Sequence, residues 1–108
     1  MKMYTLVIHA PSSKCNPAIG NCFGDYFRTG VGKDYVIGKK NKSRLSIPGS
    51  RLVLLDKESE LRAEGTLIKL KPTKKTPQQR YDVHFEGQKK VTYTPVKLNH
   101  YGVAVLDC

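Results

Sequence analysis

Residues 47–71 constrain the fold of this chain more than any other stretch, because they predict two strands joined by a charged turn. Four consecutive apolar residues, 52–55, predict a strand that is buried on both faces. The polar run at residues 56–60 predicts a solvated connection, and residues 61–70 predict the second strand. Gly65 interrupts that second strand, which indicates a bulge or a sharp bend of the kind that small curved sheets and barrels need.

Segments that alternate apolar and polar residues predict further short strands around this pair. They are residues 3–9, 33–38, 80–86, 89–94 and 101–106, with a tight turn expected at Gly87 and Gln88. Six or seven short strands with one or two short helices are typical of a mainly β (α+β) fold, here a small mixed or antiparallel β-barrel. We expect residues 1–108 to form one domain with one core.

The segment after the first strand predicts a short helix. Asn16 is a suitable N-cap, Pro17 suits the first helical position, and the apolar residues up to Phe27 have helical spacing. Residues 39–44 hold four positive charges in a polar stretch and predict an exposed loop instead. A second basic loop is expected at residues 72–77, where two prolines disfavour a helix.

The cysteines are Cys15, Cys22 and Cys108, and an odd number in an intracellular chain argues against a disulfide framework. We expect Cys22 to be a buried structural cysteine. The spacing of the cysteines and histidines differs from that of zinc motifs, so neither a metal nor another cofactor is expected.

Hydropathy gives an expectation about location. No apolar run approaches the roughly 18 residues of a membrane span, and the apolar run at the N-terminus is too brief for a secretory signal. We therefore expect a cytoplasmic protein that does not bind membranes. The chain ends directly after its last predicted strand, so it is either a closed barrel or the front domain of a longer protein with an additional effector domain or partner subunit.

The net charge of +10, from 19 Lys and Arg against 9 Asp and Glu, indicates a polyanionic partner, and nucleic acid is the first choice. Basic residues in loops around a rigid barrel are suited to contacting a phosphate backbone. The candidates for these contacts are Lys39, Lys40, Lys42, Arg44, Lys71, Lys74 and Lys75. Further lysines, Lys69, Lys89, Lys90 and Lys97, add to the same positive field.

No catalytic constellation stands out in the sequence, so no catalytic residue is assigned. The carboxylates of Asp56, Glu58 and Glu60 share one polar run, which is more typical of a solvated turn than of an acid–base pair. Residues 29–33 have glycines and a lysine but lack the spacing of a phosphate-binding loop.

Three sequence features resemble the PUA-like superfamily and, within it, the EVE domains. The chain opens with an aromatic-containing strand, residues 4–8. Residues 47–55, I-P-G-S-R-L-V-L-L, are similar to the family's P-G-D turn and strand, and residues 63–67 follow the form A-x-G-x-[LIV]. Ser50 stands where the family usually has Asp, and the chain has no tryptophan.

The resemblance implies a barrel that binds nucleic acid. For EVE-like domains it implies recognition of a modified, flipped base in DNA, as the specificity domain of a modification-dependent restriction system. The base would enter between the barrel and the early helical segment, which in this chain implicates His9, Tyr26, Phe27 and Tyr35.

Three alternatives remain open at this point. A PUA-type domain would be an RNA-binding accessory module. A small nuclease or base-modifying enzyme would use His with Asp or Glu. A protein-interaction domain would carry its basic charge without using it on nucleic acid.

Overall fold

The structure is a computed structural model that describes residues 3–73 and 77–107, and a curled six-stranded sheet dominates it. The strands are β1 (Tyr4–His9), β2 (Val31–Val36), β3 (Arg51–Asp56), β4 (Leu61–Pro72), β5 (Arg80–Val91) and β6 (Val103–Asp107). The helices are α1 (Phe23–Thr29) and α2 (Lys39–Leu45), with a 3-10 turn at Ser12–Lys14. The expected mainly β fold with two short helices is confirmed.

The strand order is β2-β5-β4-β3-β1-β6. β1 and β3 run parallel, and the other neighbours are antiparallel, so the sheet is mixed. β2 and β6 are the two ends of this order, and the sheet is a curled half-barrel rather than a closed one. An open seam between the β2 side and the β6 side is therefore a built-in feature of the fold.

β3 is the central strand, as its apolar run predicts. Leu54 and Leu55 have no exposed surface, because β1 and β4 flank the strand and side chains cover both of its faces. The turn before β3 has Gly49 at φ +88, a conformation that favours glycine. Ser50 Oγ donates to the Ile47 carbonyl across this turn (2.8 Å), and the Ser50 carbonyl accepts from the backbone N–H of Leu67 on β4 (2.8 Å).

Two glycines shape the long β4–β5 pair. The β4 register shifts between Glu64 and Thr66, which confirms the irregularity predicted at Gly65. A Cβ on Gly65 would lie 2.7 Å from the carbonyl oxygen of Glu86 on β5, so the two backbones approach too closely for a side chain. The turn predicted at Gly87 and Gln88 is wrong: Gly87, at φ +66, forms part of a bulge, and β5 continues through it.

The predicted start of the first helix, at Asn16, is also wrong. Asn16 Oδ1 accepts from the N–H of Ala18 (2.9 Å) and so caps a turn, which Gly20 ends at φ +69. α1 begins at Phe23, where Cys22 is the N-cap and its N–H donates to the Asp25 side chain (3.3 Å).

Cys15 and Cys22 form a disulfide, contrary to the expectation from the odd cysteine count. The turn between them reverses the chain, which brings two cysteines that are seven positions apart into contact. The third cysteine, Cys108, lies outside the described residues. Sequence spacing alone did not indicate the pair because the reversal at residues 16–20 was predicted as a helix.

Residues 39–44 form most of α2, not the predicted exposed loop. Lysine, arginine and leucine are all good helix formers, and a single buried residue, Leu45, anchors the helix in the core. Ser46 ends the helix, with its hydroxyl donating to the Ser43 carbonyl (2.6 Å). The polar composition was typical of a loop, but one apolar anchor is sufficient to hold a helix of this length against the sheet.

The core has two layers. The concave face of the sheet, with Phe23 of α1 and Leu45 of α2, encloses the main apolar cluster. A second cluster lies on the outer face, where Val7, Val53 and Leu55 pack under residues 93–98. In the described part of the chain, no helix is both long enough and apolar enough to span a membrane.

Candidate nucleic-acid interface

The seam groove is a cavity of about 770 Å³ between the end of β2 and the start of β6, below the first turn of α2. Ile37, Tyr81 and Val103 form its buried wall. The more accessible lining carries polar side chains, which are Lys39, Asn41, Gln78, Gln79, Asn99 and Tyr101. The groove therefore combines an apolar base with a rim of amides, a phenol and a cation.

Local structure fixes both sides of the groove. On one side only Ile37 and Gly38 connect β2 to α2, and Lys39 is the first residue of the helix. On the other side Asn99 Oδ1 accepts from the backbone N–H of Tyr101 (2.9 Å) and of Val103 (3.1 Å). The N–H of Gly102 donates to the Asn99 carbonyl (3.0 Å), which closes a tight turn and holds Tyr101 in place at the rim.

The chemistry of this lining suits a nucleobase. Asn and Gln side chains offer both donors and an acceptor, which the edges of bases require. Every base also has a flat π-face, and the partly exposed ring of Tyr101 at the rim provides a surface for stacking. Lys39 supplies a positive charge at the mouth of the same groove.

α2 presents a cationic ridge beside the groove. Lys39, Lys40 and Lys42 are exposed or half-buried, and Lys42 Nζ lies 5.8 Å from the centroid of the Tyr81 ring. Arg44 lies over the Tyr4 ring at 5.3 Å. The ion pairs within the described ranges are made by other residues, namely Arg28 with Asp25, and Arg51 and Arg62 with Glu64. The four predicted cations at residues 39–44 are thus gathered on one short helix, and none of them forms a described ion pair.

The other predicted phosphate contacts are less concentrated. Lys71 is exposed near the end of β4, where it is paired in register with Asp82 of β5. Lys74 and Lys75 lie outside the described residues.

A second cavity, the α2–β4 cleft, lies at the other end of α2. Its volume is about 310 Å³. The end of α2 and the turn after it form one wall, and residues 67–70 of β4 form the other. Lys42 and Lys69 contribute the charges of this lining. The two ends of α2 therefore border different cavities, each of which has at least one lysine in its wall.

Two of the residues predicted to line a base pocket lie in the core. Tyr26 and Tyr35 are buried, and their rings meet edge to face with centroids 6.4 Å apart. Tyr35 Oη donates to the carbonyl of His9 (2.9 Å). Burial raises the pKa of both phenols, that of Tyr35 well above its usual value, so both stay neutral.

The other two predicted pocket residues also make contacts within the fold. His9 Nε2 accepts from the backbone N–H of Lys57 (3.1 Å), and burial lowers the pKa of this imidazole. Phe27 is half-buried, and its ring lies 5.5 Å from Lys90 Nζ. Within the described chain, none of His9, Tyr26, Phe27 and Tyr35 lines either cavity.

The polar run after β3 is more ordered than the sequence indicated. Asp56 is buried, contrary to the expectation of a solvated connection. Its carboxylate accepts from Ser12 Oγ and from the backbone N–H groups of Glu58 (3.0 Å) and Ser59 (3.2 Å). Burial acts to raise the pKa of Asp56, but these hydrogen bonds outweigh it and leave the pKa lowered. The cluster ties the 3-10 turn at Ser12–Lys14 to the β3–β4 turn.

Sequence reasoning missed the residues of the seam groove. The alternation in residues 80–86 correctly placed Tyr81 on the inner face, but it did not indicate that an open seam lies beside it. Tyr101 was predicted as a strand residue, whereas β6 begins two positions later and Tyr101 stands in the turn. No local signal reports which strands become the edges of a sheet, since that depends on long-range pairing.

Two further findings complete the description of the site. Within residues 3–73 and 77–107, no group of three or more metal-ligating side chains comes together. Comparisons of the chain with protein-family models, with curated proteins and with solved structures found no match. The resemblance to PUA-like and EVE-like domains therefore stays a prediction, and the function is argued from the site itself.

Proposed function

We propose that this protein is a nucleic-acid-binding module that holds one base in the seam groove and phosphates along α2. The observation that carries the proposal is the position of the groove. An aromatic and amide-lined cavity of about 770 Å³ opens directly beside a helix whose lysines form no described ion pair. Base recognition and backbone neutralisation need those two surfaces side by side.

The charge of the whole chain supports the phosphate contacts. A net charge of +10 on 108 residues creates a field that attracts polyanions, and α2 places four of these charges on one short helix. Lysines that neutralise phosphates release the counterions of the nucleic acid, so affinity falls with rising salt.

The groove supports recognition of an individual base. A base that enters it leaves its stack, which costs a few kcal/mol for a paired base and less for an unpaired one. Contact with the ring of Tyr101 offsets part of that cost. The amides of Asn41 and Gln78 then supply donors and acceptors that distinguish one base edge from another.

The choice between DNA and RNA comes from the family resemblance alone. It favours DNA with a modified, flipped base, in a modification-dependent restriction system. RNA binding of the PUA type is the alternative. Both functions use the same groove and the same helix, so a panel of oligonucleotides separates them.

The test is a set of fluorescence-anisotropy titrations with single- and double-stranded DNA and RNA, with and without modified cytosine or adenine. Tyr101→Ala removes a ring from the rim of the groove, while Tyr93→Ala removes one from the outer face of the sheet and is the matched control. We expect Tyr101→Ala to weaken binding to the preferred oligonucleotide by about tenfold, within the range expected for removal of a stacking ring. The control is expected to retain the affinity of the parent protein.

Two results would refute this proposal. One is an absence of binding to every oligonucleotide at low salt. The other is equal affinity of both tyrosine variants and the parent protein, which would place the nucleic acid away from the groove. If the parent protein binds nucleic acid but prefers no modified base, modified-base recognition is refuted and the protein is a general nucleic-acid binder.

A second candidate function rests on the sheet edges. β2 and β6 are the terminal strands of the sheet, and residues at the end of β2 and the start of β6 line the groove. An extended peptide can add to such an edge, and the basic rim would favour an acidic one. Displacement of a bound oligonucleotide by an acidic peptide, but not by the same peptide in which a proline replaces its central residue, would favour this function.

A further inference from the structure

The α2–β4 cleft has a feature that the seam groove lacks, an apolar side chain presented by a bulge. The pairing of β4 with β5 shifts register between Leu67 and Lys69, so Ile68 has no partner across the strand pair. Ile68 is 50% exposed although it lies within a strand, and it lines the cleft. Bulges re-aim side chains in this way and are frequent beside functional sites.

The remaining lining combines apolar surface with positive charge. Leu45, Ile47 and Pro48 form the apolar wall opposite Ile68. Lys42 and Lys69 belong to the same lining. An apolar surface flanked by lysines matches the chemistry of a nucleotide, whose base is flat and weakly polar on its faces and whose phosphate is anionic.

Lys42 connects the two cavities. It lines the α2–β4 cleft, and its Nζ lies 5.8 Å from the ring centroid of Tyr81, which lines the seam groove. The two cavities share no lining residue, because the start of α2 borders the seam groove whereas its end borders the cleft. Different nucleotides would then occupy the two cavities, and Lys42 lies beside both.

We infer that the α2–β4 cleft is a second nucleotide subsite, so that the ligand is a single-stranded nucleic acid of two or more nucleotides that runs along α2. This inference rests on the proposed function. Bases held in two separate cavities are unstacked from each other, and a single strand adopts that arrangement at lower cost than a duplex. Lys42 contacts the connecting phosphate, Lys69 contacts the next one, and Ile68 packs on the second base.

The test compares ligands of different length on variants of each cavity. The probes are a mononucleotide, a single-stranded hexamer and the duplex of the same hexamer sequence. Ile68→Ala and Lys69→Ala alter the cleft; Ile19→Ala, at an isoleucine that is 59% exposed on the disulfide-closed loop, and Lys97→Ala, on the outer-face segment, are the matched controls. All substituted side chains are exposed, so melting temperatures should stay close to that of the parent protein.

We expect the parent protein to bind the hexamer more tightly than the mononucleotide or the duplex. Ile68→Ala and Lys69→Ala should each weaken hexamer binding about fivefold and leave mononucleotide binding unchanged, because the first base occupies the seam groove. The two controls should stay within about twofold of the parent.

Each of the other outcomes contradicts one specific part of the proposal. Hexamer binding that neither cleft variant changes, or a hexamer that binds no better than the mononucleotide, overturns the second subsite but leaves the proposed function intact. A duplex that binds more tightly than the single strand overturns the single-strand assignment. No binding of any probe overturns both the subsite and the proposed function.

Discussion

β3 and α2 are segments of nearly equal length that the fold uses in opposite ways. β3 has five buried residues out of six and lies between β1 and β4 in the centre of the sheet. α2 has one buried residue out of seven, Leu45, and lies beside the open seam. The contrast separates residues that hold the fold together from residues that remain available to a ligand.

α2 also carries charges that oppose its own stability. Lys39 and Lys40 occupy its first turn, where no acidic residue is present, and the N-cap Gly38 makes no side-chain hydrogen bond. The N-terminal end of a helix has a partial positive charge, so lysines there are unfavourable by a few tenths of a kcal/mol to about 1 kcal/mol. Residues kept at a cost to stability are frequent at functional sites, which is consistent with phosphate binding at this helix.

The largest effect is expected in β3. Leu54→Ala leaves a cavity in a site with no exposed surface and should lower the free energy of unfolding by about 2–5 kcal/mol in urea titrations. Leu106→Ala is the control, since Leu106 is 41% exposed and should change stability little. Similar effects of the two substitutions would mean that β3 is not the centre of the core.

The next largest effect on stability is expected where the backbones of β4 and β5 lie close together. Gly65→Val places a side chain 2.7 Å from the Glu86 carbonyl, so it should destabilise by more than about 1 kcal/mol and shift the urea midpoint downwards. Gly24→Ala on α1 is the matched control, because no atom lies within 4 Å of the added Cβ and alanine favours a helix. Were Gly65→Val neutral, the two backbones would not be in close contact.

The pH dependence tests the loop contacts at the end of β1. Burial lowers the pKa of His9 from 6.5, so the unfolded chain binds a proton at a higher pH than the folded chain does. Stability from this group is present above about pH 6.5 and is lost as the pH falls through the folded pKa. Asp56, whose pKa is lowered from 3.8, adds a further loss only at more acidic pH.

His9→Gln isolates this contribution. Glutamine keeps an acceptor for the backbone N–H of Lys57 but does not titrate, so the variant should lose less stability than the parent between pH 7 and pH 5. Thermal unfolding at several pH values gives the comparison. If the parent protein lost no more stability than His9→Gln as the pH falls from 7 to 5, this result would contradict the assignment.

The smallest expected effect is on α2, and it has opposite signs for stability and binding. Lys40→Glu places a negative charge in the first turn and should stabilise the fold by about 0.3–1 kcal/mol. The same change should weaken binding of nucleic acid, because it removes a cation that pairs with phosphate and adds a repulsive charge. Loss of stability together with unchanged binding would show that the lysine serves the fold, in contradiction to this account.

The comparison of β3 with α2 also shows what sequence patterns reveal. The apolar run at residues 52–55 and the glycine at position 65 predicted a buried strand and a bulge, because burial and backbone approach depend directly on the residue types. α2 was predicted as a loop, since its stability comes from Leu45 packing on a distant sheet. Gly87 was predicted as a turn because a bulge and a turn both need a residue at positive φ.

The candidate site was predicted in part. The cationic segment at residues 39–44 was found from charge alone, which does not depend on the fold. The aromatic residues of the groove were not found, since Tyr26 and Tyr35 pack inward while Tyr81 and Tyr101 meet at a seam. Only the pairing of strands far apart in sequence brings the two sides of that seam together, and local patterns do not indicate that pairing.

The most direct measurement of the central claim, that nucleic acid binds at α2, is the salt dependence of affinity in two triple variants with equal net charge. One variant replaces lysines of α2 with alanine, at Lys39, Lys40 and Lys42. The control replaces lysines at the far end of β5 and on the outer-face segment, at Lys89, Lys90 and Lys97. We predict that the slope of log K against log salt becomes shallower by about 0.7 with a single strand, or about 0.9 with a duplex, for each phosphate that the α2 variant no longer neutralises, and that it stays near the parent value in the control. Equal changes of slope in both variants, or a parent affinity that is flat between low and physiological salt, would contradict it.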